Sequence, residues 1–325
     1  MASVAHDAPV VAPAPGVRGG RGGLGLAILS AATFALSGAL ARPLLAAGWS
    51  PGAVVGLRIA IGAVVVLPFG VAALRGRWSV VRRNAGRILA YGLLAVAGAQ
   101  FCYFSAVQHM QVGPALMIEY AAPVAVVGWL WVRRGQRPGP LTLGGAGVAA
   151  VGLLLVLDLF TGARLDPAGV AWALAAMVGA ASYFLISADD AGGLPPLALA
   201  AGGLLVGGAA LGLLALVGAL PVAANAQAVA YAGSTVPWWV PVLLLGVLTA
   251  AVSYVTGIGA ARALGSRVAS FVALGEVVFA VLWAWVLLAE LPGPVQLLGG
   301  VLILAGVVLV KVGERAVVAP EPVTV

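Results

Sequence analysis

Three charged side chains lie deep inside long apolar stretches of the sequence, at Arg58, Glu119 and Glu276. A charge in hydrocarbon is costly, so such residues face the interior of a helix bundle or a water-filled cavity. A carboxylate there could hold a coupling proton or the ammonium group of a substrate. We therefore predict that Glu119 and Glu276 line a binding cavity. For Arg58 two interpretations stay open: it serves the same cavity, or it is structural, as the ion-pair partner of a carboxylate or as a side chain that extends to a lipid headgroup.

The residues that follow Glu119 give a second reason to expect a cavity. Pro123 lies four residues further along the same apolar stretch. Proline removes a backbone donor and bends or locally opens a helix. Because irregular backbone at membrane depth belongs beside a cavity, we expect an interrupted helix and a polar pocket here.

Polar and aromatic side chains share helical faces with these charges. Gln100 and Phe104 lie four residues apart in one apolar stretch, and Glu276 and Trp283 lie seven apart in another. An amide can orient a ligand and an aromatic ring can close a site over it. The predicted substrate- or proton-binding residues are Glu119, Glu276, Arg58, Gln100, Tyr120, Phe104 and Trp283. We predict no catalytic residue, no metal site and no cofactor.

The composition indicates which solvent surrounds these residues. Of 325 residues, 62% are hydrophobic and only 8% are charged, with a mean hydropathy of +1.12. Such a chain must use lipid as solvent, which excludes an ordinary soluble globular protein. The net charge of +7 comes from arginines in short clusters between apolar runs, a pattern of membrane orientation and not of nucleic-acid binding. The single cysteine, Cys102, excludes an intrachain disulfide.

Apolar stretches long enough to cross a bilayer recur ten times, so the predicted fold class is an all-α integral membrane protein with ten transmembrane helices. The predicted spans are Leu24–Ala46, Pro51–Ala73, Arg87–Gln108, Ala115–Trp131, Leu141–Leu159, Ala168–Ser187, Pro196–Gly218, Pro237–Ala260, Val268–Ala289 and Pro294–Val312. We expect residues 1–23 to be a disordered tail and residues 313–325 a second tail.

The basic residues predict the orientation of these spans. With the N-terminus inside, the cytoplasmic side receives Arg18, Arg21, Arg75, Arg77, Arg82, Arg83, Arg87, Arg133, Arg134, Arg137, Arg262, Arg267, Lys311 and Arg315. The opposite side receives only Arg42 and Arg164. The asymmetry favours an even number of spans with both termini in the cytoplasm.

The chain also repeats itself. Tyr103-Phe104-Ser105-Ala106 leads through Gly113 into the fourth span, as Tyr254-Val255-Thr256-Gly257 leads through Gly265 into the ninth. Two halves of five spans must enter the membrane from opposite sides. We therefore predict two inverted five-helix repeats, 24–159 and 168–312, an architecture typical of secondary transporters, whose binding site lies at the repeat interface.

Two motifs carry a resemblance to a known family. The stretch Leu57–Ala63 contains Arg58, and Leu288–Gly299 places a glutamate before a glycine. Both are similar to segments of the EamA family of the drug/metabolite transporter superfamily, a likeness that covers nearly all of residues 23–312. The stretch Ala115–Val126 is similar to the fourth helix of the threonine/homoserine exporters. The first half departs from the family pattern, because Gln136 stands where the second half has Glu290.

The motifs and the resemblance together lead us to expect a secondary transporter that exports a small polar metabolite, with an amino acid as one candidate, by proton-coupled alternating access. No nucleotide-binding motif points to ATP as the energy source. Two alternatives stay open, an intramembrane enzyme and a passive scaffold or channel, although no nucleophile with its base favours the first. The expected location is the bacterial inner membrane. The expected partners are a small-molecule substrate and the lipid bilayer but no nucleic acid, with a homodimer left open.

Overall fold

The computed structural model describes residues 20–110, 112–156, 166–190, 192–231, 234–289 and 293–318. Several residues discussed above lie outside these ranges, namely those up to residue 19, Arg164, Glu290 and those after Val318.

The first half of the chain is built from helices. They are α1 (Gly20–Ala46), α2 (Pro51–Leu74), α3 (Trp78–Arg83), α4 (Ala85–Ala90), a π-helical segment (Tyr91–Gly98), α5 (Ala99–His109), α6 (Val112–Glu119), α7 (Ala122–Arg134) and α8 (Pro140–Val156).

The second half has a similar order, with a short β-hairpin where the first half has α3. Its elements are α9 (Pro167–Ala188), α10 (Pro196–Leu216), β1 (Val229–Tyr231), β2 (Ser234–Val236), α11 (Trp239–Leu244), a π-helical segment (Leu245–Val252), α12 (Ser253–Ala273), α13 (Gly275–Leu288) and α14 (Pro294–Val318). The strands β1 and β2 pair antiparallel.

Apolar helices dominate the part of the chain that the structure describes. Eight of them are long and apolar enough to cross a membrane, and two more, Pro140–Val156 and Gly275–Leu288, are apolar but shorter. Large apolar side chains face outward, as Val64 and Leu216 do with 71% and 87% of their surface exposed. Helices that expose apolar residues and keep their own backbone hydrogen bonds are suited to lipid. The chain is a multi-pass membrane protein.

Helix starts follow from local sequence. Proline occupies the first position of α2 and of α9, where its missing N–H has no helical partner to lose. The preceding residue caps each helix: Ala53 N–H donates to Ser50 Oγ at 3.2 Å, and Ala168 N–H donates to Asp166 Oδ1 at 2.9 Å.

The expected interruption beyond Glu119 is present, and a similar one occurs in the second half. The helix stops at Glu119 and restarts at Ala122, because Pro123 cannot donate a helical hydrogen bond. In the second half, Gly265 leaves helical geometry with φ 79° and ψ 159°, and a further break at Leu274 separates α12 from α13. Both halves therefore place broken helices at corresponding points of the chain.

Glycines bring α8 and α14 into backbone contact. A methyl group built on Gly152 would lie 2.6 Å from the carbonyl oxygen of Gly299, and one built on Gly145 would lie 2.8 Å from that of Gly306. Small residues allow such close approach where no hydrophobic effect drives helices together. The last helix of the first half thus packs directly on the last helix of the second.

The connections between helices also cross from one half to the other. Ser50, between α1 and α2, donates its backbone N–H to Ala223 O at 2.8 Å, and Asn225 donates to Ala47 O. A second such hydrogen bond runs from the side-chain amide of Asn84, between α3 and α4, to Gly192 O at 3.2 Å, between α9 and α10. Nothing in the sequence pattern predicted the hairpin that belongs to the first of these connections.

Candidate functional site

A cavity of about 440 Å³ lies between the two halves. Small-molecule sites typically enclose about 300–1,000 Å³. Seven aromatic residues and, besides Arg42 near its entrance, three charged residues contribute to its wall. They are Phe34, Tyr103, Phe104, Tyr120, Tyr183, Phe184, Tyr254, Arg58, Glu119 and Glu276.

The cavity approaches the surface at one end of the bundle. Its wall includes Arg42 and Leu45 near the end of α1 and Pro51 at the start of α2, which are all exposed. Deeper in the bundle the wall includes Ala27 and Ala260, which are 6% and 2% exposed. The entrance therefore lies at the α1–α2 end.

The two carboxylates come from the interrupted helices. Glu119 is the last residue of α6, and Glu276 is the second residue of α13. Tyr120 donates its hydroxyl hydrogen to Glu276 Oε1 at 3.1 Å. The N-terminal end of a helix carries partial positive charge, which stabilises an anion in its first turn. Glu276 thus has a helix start and a hydroxyl donor beside it, whereas Glu119 lies at a helix end.

Arg58 lines the same cavity and is 4% exposed. Its Nη2 donates to the carbonyl oxygen of Thr249 at 2.9 Å, and its guanidinium carbon lies 4.5 Å from the ring centroid of Phe34. Thr249 belongs to the second π-helical segment, and π-helical turns often mark functional sites. No carboxylate oxygen among the described residues lies within 4.0 Å of this guanidinium. One of the interpretations left open for Arg58, an ion pair with a glutamate, is therefore not seen among the described residues.

Three tyrosines form a cluster on the inner side of the cavity. The ring centroids of Tyr91 and Tyr183 are 5.8 Å apart, those of Tyr183 and Tyr254 are 5.7 Å apart, and those of Tyr91 and Tyr254 are 6.5 Å apart. Tyr183 and Tyr254 line the cavity, while Tyr91 is fully buried. These rings fill the space between the cavity and the opposite end of the bundle.

An ion pair connects the two halves at that opposite end. Arg87 Nη2 of α4 lies 2.6 Å from Asp189 Oδ2, at the end of α9. Arg262 of α12 interacts electrostatically with both Asp189 and Asp190. Burial of the Arg262 guanidinium removes hydration that it would have in water, and its Nε and Nη2 have no hydrogen-bond partner among the described residues.

Six of the seven residues predicted from the sequence come together around the cavity: Arg58, Gln100, Phe104, Glu119, Tyr120 and Glu276. The structure places Trp283 elsewhere, because its indole N–H donates to Ala32 O of α1 at 2.9 Å. Two further lining residues, Phe34 and Tyr254, have no sequence signal that distinguishes them from ordinary buried aromatic residues. Only the Tyr-Val-Thr-Gly repeat that begins at Tyr254 gave a hint of its position.

Comparison with known proteins gives a consistent picture. The sequence matches the EamA-like transporter family twice, over residues 21–158 and 167–312. No curated protein matches the sequence. A protein of known crystal structure superposes with a TM-score of 0.74 at 20% sequence identity, covering 92% of this chain and 99% of the other. At that identity the likeness shows the fold alone.

Proposed function

The chain belongs to the EamA-like transporter family of the drug/metabolite transporter superfamily, and from that premise we propose that it is a proton-coupled secondary exporter of a small polar metabolite. The observation that carries the proposal is a cavity between the two halves whose wall holds two carboxylates, Glu119 and Glu276, neither of which lies within ion-pair distance of Arg58. A structural ion pair would account for the cost of these charges, and its absence favours a role for the carboxylates in binding.

Glu119 is the residue that we propose carries the coupling proton. A carboxylate in the wall of the substrate cavity can link the two movements, because its protonation and the binding of a charged substrate in the same cavity alter each other's free energy. Glu119 faces the cavity from a helix end, beside the interruption at Tyr120 and Ala121. A small movement of α7 relative to α6 would change what surrounds this carboxylate, and such a movement is easiest at a break in a helix.

Alternating access is supported by the unequal ends of the cavity. Exposed residues of α1 and α2 line one end, whereas the tyrosine cluster and the ion pair of Arg87 with Asp189 occupy the other. We propose that the first end faces outward and the second faces the cytoplasm. The described conformation is then open to the outside, and transport requires the ion pair to separate.

The same proposal includes ten spans in two inverted repeats, with both termini in the bacterial cytoplasm. The eight long apolar helices and the two shorter ones are compatible with it, as is the distribution of arginines. The likeness of Ala115–Val126 to the fourth helix of the threonine/homoserine exporters favours an amino acid as the substrate.

The test is transport by the full-length protein in proteoliposomes. Candidate amino acids, amines and carboxylic acids are offered in radiolabelled form, with and without an imposed pH gradient. We expect at least one compound to move faster with the gradient, and the protonophore-treated sample to lose that advantage. Equal rates of substrate transport with and without the gradient would contradict proton coupling. Substrate flow through a path that stays open to both sides would indicate a channel.

A further inference from the structure

The cavity carries opposite charges on different parts of its wall. Arg58 belongs to α2 and Glu276 to α13, and both line the cavity. They interact electrostatically, yet no oxygen of Glu276 lies within 4.0 Å of the guanidinium. The two opposite charges line one cavity without forming an ion pair, so a ligand in that cavity can contact both of them.

The guanidinium of Arg58 is held in a fixed position. Its hydrogen bond to Thr249 O and its contact with the face of the Phe34 ring restrain its position on two sides. A guanidinium has five N–H donors in a rigid fork, which suits a carboxylate. The carbonyl of Thr249 also accepts a hydrogen bond from Ser253 Oγ at 2.6 Å, so the group that positions Arg58 is itself fixed. Arg58 is nine-tenths buried and retains donors that the described residues do not use.

The carboxylate of Glu276 is positioned in a similar way. Tyr120 donates to one of its oxygens, and the start of α13 stabilises its negative charge. The second carboxylate oxygen makes no hydrogen bond within the described residues, so it can accept one from a ligand. A rigid cation and a rigid anion thus face one cavity from two helices.

We propose that Arg58 and Glu276 are the two poles of a zwitterion site, which would bind the carboxylate of the substrate at Arg58 and its ammonium group at Glu276. This inference rests on the proposed transport function and narrows its substrate class. Glu119 is then left for the proton. A simple amine would leave the buried guanidinium without an anion, and a simple carboxylic acid would leave Glu276 without a cation. Sites with buried polar groups reject ligands that leave those groups unpaired.

The experiment compares matched ligands on the detergent-solubilised full-length protein by equilibrium binding. The probes are the proteinogenic amino acids, followed, for the amino acid that binds best, by its primary amide and its deaminated carboxylic acid. We expect each analogue to bind at least about tenfold more weakly than the amino acid. In Arg58→Gln the amide and the amino acid should bind equally, and in Glu276→Gln the deaminated acid and the amino acid should bind equally. Arg58→Lys, which keeps the charge but not the fork, should retain the preference for the amino acid over its amide.

Several results would overturn the zwitterion site. One such result is equal binding of the amino acid and its amide to the wild-type protein. This comparison needs no variant, so the zwitterion site can be rejected even if Arg58→Gln does not fold. Binding of plain amines alone, with gradient-driven transport intact, would reject the zwitterion site and leave the transporter proposal standing. Amino acids could bind with the expected preferences while their transport in proteoliposomes does not respond to a pH gradient. That result would support the zwitterion site and reject proton coupling.

Discussion

Tyr120 donates a hydrogen bond to Glu276 over 3.1 Å, and the two residues belong to opposite halves of the chain. Tyr120 lies at the interruption between α6 and α7, and Glu276 lies just after the break between α12 and α13. One hydrogen bond therefore joins the two broken helices across the cavity. Movement at the break beside Tyr120 therefore changes the surroundings of the Glu276 carboxylate.

We expect Tyr120→Phe to weaken substrate binding without preventing folding. The change removes one hydrogen bond to a charged group, which contributes about 1.5–3 kcal/mol, so the apparent KM should rise about tenfold or more. Tyr103→Phe is the matched control, since Tyr103 lines the same cavity. A Tyr120→Phe protein with the KM of the Tyr103→Phe protein would show that the hydroxyl does not position Glu276.

Glu119→Gln should leave the protein folded but insensitive to a pH gradient. The amide keeps the shape of the side chain and removes a charge that is costly in the bilayer. We expect normal yield and thermal stability, together with loss of gradient-driven accumulation in proteoliposomes. The double variant Arg58→Gln/Glu119→Gln separates the alternative role. If Glu119 only balanced the charge of Arg58, the single variant would be unstable and the double variant would transport normally.

The contact between α8 and α14 should be intolerant of a single methyl group. In Gly152→Ala the new methyl would meet Gly299 O at 2.6 Å and Ile303 N at 2.7 Å, both backbone atoms. Forcing such helices apart costs about 1–3 kcal/mol, so the apparent Tm should fall by several degrees. Gly147→Ala on the same helix is the control, because nothing lies within 4 Å of its added methyl. Equal Tm values for the two variants would contradict the backbone contact.

Cysteine labelling tests the orientation. Gly76 and Gly135 have φ values of 78° and 66°, so a cysteine there would be strained. Ser79 and Gln136 are exposed neighbours, and Gln227 is exposed on the opposite side. In a Cys102→Ala background, an impermeant reagent outside the cell should label Gln227→Cys but not Ser79→Cys or Gln136→Cys. Efficient labelling of the latter two would reject the ten-span arrangement.

Asp189→Asn should favour the conformation that is open to the cytoplasm. The ion pair of Asp189 with Arg87 is partly exposed, with 18% and 35% of the Arg87 and Asp189 side chains accessible. Such a pair stabilises the outward-open conformation by about 1 kcal/mol or less, so its loss should change the ratio of the two conformations by up to about fivefold. The readout is labelling of Ala180→Cys, a position in the cavity wall, in inverted membrane vesicles. Asp190→Asn is the control for loss of a charge at this end, because Asp190 interacts electrostatically with Arg262 but forms no ion pair within 4.0 Å among the described residues. Labelling of Asp189→Asn that does not exceed that of the wild-type protein and of Asp190→Asn would contradict a role of the ion pair in gating.

Hydropathy predicted much of this architecture because lipid imposes long apolar helices. The interruption beyond Glu119 was also predictable, since proline lacks the backbone N–H that a helical hydrogen bond needs. The π-helical segments were not, because Tyr91–Gly98 and Leu245–Val252 have the composition of ordinary apolar helix and their geometry depends on what packs against them. Trp283 shares a helical face with Glu276, but spacing alone could not show that its indole would donate to α1. The surroundings of Arg58 depend on Thr249, a residue 191 positions away.

The glycine contact between α8 and α14 also affects whether the two halves can assemble when they are separate chains. Its two helices end different halves of the chain, and in this contact the carbonyl oxygens of one helix lie against the facing glycines of the other, in the pairs Gly145 with Gly306 and Gly152 with Gly299. Such a contact needs only two complementary surfaces, so it does not require both halves to be translated as a single polypeptide. Two fragments produced from separate messages should therefore find each other in the membrane and co-purify, as two independent subunits would.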